Sequence, residues 1–196
     1  MTITGLITGV MILIAGTFVL TSVGDDLYST RRAQVLQDSA RATTAAQRTI
    51  DASDVNGRAA MNNLAFSVRR TVQDTSASTL IYMRRQPDQL PMPDAPVDSA
   101  PPQLVDVVTP ELADAVRNGE APQYWQPVTL TDDSGETSPG ILVASTITFP
   151  GTTGTYDLFI GYNLSDTERA LGFITRTLAL TALFLMLLIG GQKRHR

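Results

Sequence analysis

Near its start the chain carries 21 consecutive residues without a charge, Ile3 to Val23 (ITGLITGVMILIAGTFVLTSV). At about 1.5 Å of rise per residue, a helix of that length covers about 30 Å, the hydrocarbon thickness of a bilayer. A second uncharged run, Thr177 to Gly191 (TLALTALFLMLLIGG), has 15 residues. It covers only about 22 Å and falls short of a full span. We read 3–23 as a first transmembrane helix, 174–191 as a second that is cut short, and 192–196 as a basic tail. A cleavable signal peptide is the rival reading of the N-terminus. No basic region precedes the run, and the run exceeds a usual signal core.

The flanks set an orientation. Asp25 and Asp26 follow the first run, and Lys193, Arg194 and Arg196 follow the second. Positive residues stay inside, so 25–173 is expected outside the cell and both termini in the cytoplasm. Arg169 and Arg176 on the outer side weaken this bias slightly. The chain has no cysteine, which removes disulfide, thiol and zinc–thiolate chemistry. Its only Lys (Lys193) and only His (His195) both lie in the last four residues. Two readings fit so abrupt a change of vocabulary: a native stop-transfer cluster, or an end foreign to the chain.

Between the two runs the pattern is α+β. From Leu27 to Ser53 the chain is rich in Ala, Arg and Gln with no Gly or Pro, which predicts a helix continuing outward from the first span. DVNG offers a turn. Met61, Leu64, Ala65, Val68 and Val72 then recur at one face of an amphipathic helix, completing a helical hairpin. STLIYMRR (78–85) reads as a strand. Six prolines between Pro87 and Pro102 mark an exposed loop over 87–102. TPELADAVRNGE reads as a short helix with Thr109 as N-cap, Pro110 at its first position and Asn118–Gly119 at its end. QPVTLT and GILVASTITF flank a hairpin loop, DDSGETSP. TYDLFIGYNL is a last strand with Tyr156, Leu158, Ile160 and Tyr162 on one face. Ser165 and Glu168 form a capping box that starts the helix leading to the second run.

Charge divides this segment. Leu27 to Arg85 holds nine Arg and four acids, whereas Gln86 to Glu168 holds thirteen acids and one Arg. Opposite signs can hold the halves together or turn a basic face toward anionic lipid or wall polymer. Solvated surface is the plainer reading.

Few residues offer chemistry. His195 lies outside the outer segment, so histidine catalysis and histidine metal sites are excluded there, and no glycine-rich phosphate loop follows a strand. Asp132, Asp133 and Glu136 gather three carboxylates in one turn, but their spacing does not fit a calcium loop. We name no catalytic, cofactor or metal residue. The candidates for ligand binding are Tyr124, Trp125, Arg84 and Arg85, each weighed against a core or solvated role. An acidic outer segment gives nucleic acid no footing.

The layout of two spans around an extracellular α+β domain resembles the input region of bacterial sensor histidine kinases, closest to the MtrB type of actinobacteria. The resembling stretches are GTFVLTSVGDDLY, TIDASDVNG, TPELADAVRNGEAPQYW, PGILVASTI and TYDLFIGYNLSDTERALGFITRTLALTALFLMLLIGG, spread over about residues 5–191. The resemblance implies a PAS-like or Cache-like sensor domain, a homodimer in membrane lipid, an MtrA-type response regulator and an LpqB-type lipoprotein partner. The implied pathway concerns cell wall, division and osmotic stress. ATP and Mg are implied only for a kinase core that this chain lacks; His195 has none of the neighbours of a phospho-accepting motif. The alternatives are a two-span envelope adaptor without enzymatic output, and a chemoreceptor input module with a mainly four-helix outer domain. An extracellular hydrolase fits least, since no nucleophile and base pair up.

Overall fold

The computed structural model describes residues 28–54, 57–87, 89, 96, 98, 100–132, 134–150, 154–165, 173, 176–177 and 180. The expected first span at 3–23 lies outside the described residues, as does most of the second. Among the described residues no helix is long and apolar enough to cross a membrane. The chain forms two compact units, Arg32–Leu164 and a second made of Met1–Arg31 with Ser165–Arg196. Of the second unit, Ser165, Phe173, Arg176, Thr177 and Leu180 are helical, and the Thr177 hydroxyl donates to the Phe173 carbonyl one turn back.

The larger unit is α+β, a four-stranded antiparallel sheet with helices on both faces. Its elements are helix α1 (28–51, of which 32–51 fall in this unit), α2 (Arg58–Ser76), β1 (Leu80–Arg85), α3 (Pro102–Val105), α4 (Pro110–Asn118), β2 (Gln123–Thr131), β3 (Thr137–Phe149) and β4 (Gly154–Asn163). The strand order is β1-β4-β3-β2. Pro127, which has no N–H to donate, sits in β2, an edge strand where a missing donor is tolerated.

The hairpin helices form as their sequences predict. In α2 the buried residues include all five of the expected stripe, Met61, Leu64, Ala65, Val68 and Val72. In α1 the buried residues are Val35, Ser39, Ala42, Ala46 and Ile50. Their small size lets α1 approach the sheet closely enough for Thr43 to hydrogen-bond Ser145 of β3 at 2.8 Å. On the opposite face of the sheet, α3 and α4 bury Leu104, Leu112 and Val116 against Leu130, Leu142, Ala144 and Phe159. Thr109 caps α4 as expected, its hydroxyl accepting from the Leu112 N–H. Gly161 makes room for this layer: a Cβ there would meet Leu104 Cδ2 at 2.9 Å.

The last strand, expected with Tyr156, Leu158, Ile160 and Tyr162 on one face, is not buried on that face alone. β4 is buried from Tyr156 through Tyr162, on both faces, because it lies between β1 and β3 and beneath helices on either side. Nor is the proline-rich segment simply an exposed loop. Where described, it is tied to the sheet. The Gln89 amide exchanges both hydrogen bonds with the Thr155 backbone, acting as a short extension of the edge beyond β1. Asp98 accepts from the Arg85 N–H, and buried Pro96 accepts from the Tyr156 hydroxyl. Gly154, at φ +92°, leaves open the space that Gln89 fills.

Candidate functional site

Asp157 is the one charged side chain with no exposure among the described core residues. It lies on central strand β4, opposite Arg84 of β1 and Thr146 of β3. Side chains alternate along a strand, so Asp157 and Phe159 point to the face that carries α3 and α4, as do Tyr82 and Arg84. A buried carboxylate must find charge and hydrogen-bond partners or be lost to desolvation. Both partners come from the end of β1. Arg84 Nη2 donates to Asp157 Oδ2 at 3.1 Å, and Gln86 Nε2 donates to Oδ1 at 2.9 Å.

Aromatic rings complete the surroundings. The Arg84 guanidinium carbon lies 5.4 Å from the centre of the Phe159 ring. The Tyr82 ring lies 5.6 Å from that of Phe159, tilted by 31°. A carboxylate beside an aromatic face is the chemistry that recognises a cation. Here the cation is the chain's own. Arg84 fills the place incompletely: its Nε is buried with no hydrogen-bond partner. Asp157 is fully buried, whereas the Arg84 side chain is 28% exposed.

No protein-family model and no curated protein sequence matches this chain. Among solved structures, the periplasmic sensory domain of the Campylobacter jejuni chemoreceptor Tlp1 is similar at 13% sequence identity and a TM-score of 0.47. The match covers 76% of this chain and 60% of that one.

The four candidates from the sequence do not converge on one place. Arg84 belongs to the Asp157 cluster. Arg85 points to the other face, and its backbone is the part that Asp98 engages. Tyr124 and Trp125 are consecutive in β2 and so face opposite sides. Tyr124 packs against the α3–α4 core, and its hydroxyl accepts from the Ala121 N–H below Gly119. Trp125 is 37% exposed, with the Arg32 guanidinium 5.1 Å from its ring centre. The turn carboxylate Asp132 is spent on its own loop, accepting from the Ser134 hydroxyl and the Ser134 and Glu136 N–H groups. The Ser134 hydroxyl bond is the main reason its pKa falls below the ordinary value. Among the described residues no group of three His, Cys, Asp or Glu is placed to hold a metal ion.

Asp157 itself escaped the sequence reading. The signal was there: a single acid inside an apolar strand, TYDLFIGY, has to be paired when that strand is central.

Proposed function

We propose that this chain is the membrane-anchored, extracytoplasmic sensor region of a two-component sensor histidine kinase, with a PAS-like or Cache-like outer domain. The kinase core belongs to a longer parent protein. In this reading 3–23 and 174–191 are the spans, the parent is a homodimer, and its output passes to an MtrA-type response regulator. An LpqB-type lipoprotein is the expected partner on the outer face.

The observation that carries the reading is the way the central strand leaves the domain. β4 is buried from Tyr156 through Tyr162 and ends at Asn163. Leu164 is buried and its N–H donates to the Pro139 carbonyl at 2.8 Å. Ser165 is already helical. The capping box read from Ser165 and Glu168 starts the expected helix toward the second apolar run here, and in this reading a ligand that shifts β4 acts on that helix. The ligand must bind two packings differently for such a shift to occur.

Two experiments test this. The sequence downstream of the codon for Gly191 should continue as an apolar run into a linker and a kinase core. A stop directly after Arg196 with no kinase frame beyond it would leave the envelope adaptor as the reading. Separately, the absence of cysteine makes A59C a clean probe, since Ala59 is exposed on α2. An impermeant maleimide should label A59C in intact cells. Labelling only after permeabilisation would overturn the outer placement of 25–173.

A further inference from the structure

We infer that Asp157 and Phe159 form a receptor site for a small organic cation bearing N–H donors, a guanidinium or ammonium group, and that Arg84 is its internal occupant, displaced when the ligand binds. Reading such a cation as the signal rests on the proposed sensor function; the binding itself does not.

The two sides of the ion pair are anchored unequally. Asp157 sits on a strand hydrogen-bonded to neighbours on both sides and is fully buried. Arg84 is the next-to-last residue of an edge strand, with its side chain 28% exposed. Rotation of its side chain releases the guanidinium to water without breaking the β1–β4 ladder. The carboxylate is not stripped by that movement, because Gln86 remains on Oδ1.

Arg84 is also a poor fit to the place it fills. It offers the carboxylate one hydrogen bond, at 3.1 Å, and leaves its own Nε buried without an acceptor. A guanidinium can grip a carboxylate through two parallel bonds, and a buried donor without a partner is destabilising. A free cation has no tether to the backbone and can take the better geometry while keeping the Phe159 face. Access is available: Thr146, the other cross-strand neighbour of Asp157, is exposed. The acidic balance of Gln86–Glu168, thirteen acids against one Arg, raises the local concentration of cations.

Competition sets the expected affinities. A site filled by its own side chain for most of the time binds a ligand more weakly by the fraction of time it is free. The full chain in detergent micelles is titrated calorimetrically with methylguanidine and with agmatine, using tetramethylammonium as a cation that lacks N–H donors. Saturable binding of the first two and none of the third is expected. R84M should bind at least about tenfold more tightly than the native chain, as removal of an occupant present nine-tenths of the time requires. D157N should lose binding. R84K keeps a cation in place and guards against an R84M that does not fold; it should tighten binding by a smaller factor. No saturable binding to either the native chain or R84K overturns the inference, as does D157N binding like the native chain or tetramethylammonium matching agmatine. Saturable binding that leaves phosphorylation of the parent kinase unchanged supports the site and counts against the sensor reading alone.

Discussion

Helix α2 buries Met61, Leu64, Ala65, Val68 and Val72, a stripe of apolar side chains, and runs beside β1. Helix α1 lies against β3 and β2 and buries only alanines, one valine, one isoleucine and a serine. It adds polar ties to the sheet. Thr43 meets Ser145, the Gln123 amide donates to the Leu36 carbonyl at 3.2 Å, and the Gln47 amide pairs with both backbone groups of Thr148. Gln47 thus stands in for the strand that β2 does not supply beyond Ser145. The two helices teach different things about one sheet: α2 is held by a stripe of large apolar side chains, α1 by a face of smaller ones together with a few placed hydrogen bonds. Apolar burial is strong and indifferent to direction along the helix. The hydrogen bonds are weak and fix register.

If this contrast is right, the largest effect belongs to α2. Leu64→Ala should lower unfolding free energy by about 2–5 kcal/mol, the range for truncating a buried leucine. Leu64 is 7% exposed, so nearly the whole side chain counts. Thermal or urea unfolding of the full chain measures this. A loss no larger than that of Gln47→Ala would break the comparison.

A different tie on the same face, Tyr156 to Pro96, sharpens it. Tyr156 is 1% exposed, and burial pushes its pKa up to about 12. Tyr156→Phe leaves the Pro96 carbonyl without its donor and should cost about 1–2 kcal/mol at neutral pH. The pH dependence carries the sign. The unfolded chain releases this proton near pH 10, whereas the folded chain keeps it to about 12. The unfolded state therefore binds fewer protons in that window, and native stability is present below pH 10 and lost between 10 and 12. Tyr156→Phe should fall less steeply there. Identical alkaline slopes for the two proteins would count against a buried neutral phenol.

Gln47→Ala comes next, at about 0.5–1.5 kcal/mol, because Thr148 is exposed and water can replace the lost pair. Gln47→Glu keeps an acceptor for the Thr148 N–H but sets a carboxylate against the Thr148 carbonyl and the Asp51 carboxylate, to both of which the native amide donates, and should cost at least as much as alanine. A Gln47→Ala cost equal to that of Leu64→Ala would mean that the polar ties of α1 are no weaker than the α2 stripe.

The same contrast explains what the sequence made legible. The α2 stripe stands out because Met, Leu and Val differ sharply from their Arg, Gln and Asn neighbours. The buried face of α1 does not, since Ser39, Ala42 and Ala46 look no different from the exposed Ala33 and Ala40. Helix propensity alone placed α1; packing chose its face. Strand β4 was visible as a strand, but alternation at Tyr156, Leu158, Ile160 and Tyr162 hid the burial of the intervening Asp157, Phe159 and Gly161. That burial depends on strand order, which no local pattern encodes. Arg84 was visible as a candidate, and its partner was not, because the pairing joins positions 73 apart. Of the ion pairs seen here, Arg84–Asp157 joins the basic and acidic stretches, while Arg41–Asp38 and Arg117–Asp114 are local to their helices.

The smallest effect should have the opposite sign. Ser39 is fully buried on α1, and its hydroxyl has no hydrogen-bond partner. It stands one turn before Thr43, whose hydroxyl does find Ser145. An unpaired buried hydroxyl is destabilising, and alanine is the better helix former, so Ser39→Ala should raise stability by about 0.5–1 kcal/mol. Thr43→Ala, four residues on, should lower it by a similar amount, since Ser145 then loses its partner. Two neighbouring hydroxyls of one helix face, removed singly, would thus move the unfolding midpoint in opposite directions. If both variants lose stability, packing outweighs the placed hydrogen bonds at the α1 seam, and its difference from α2 is one of degree.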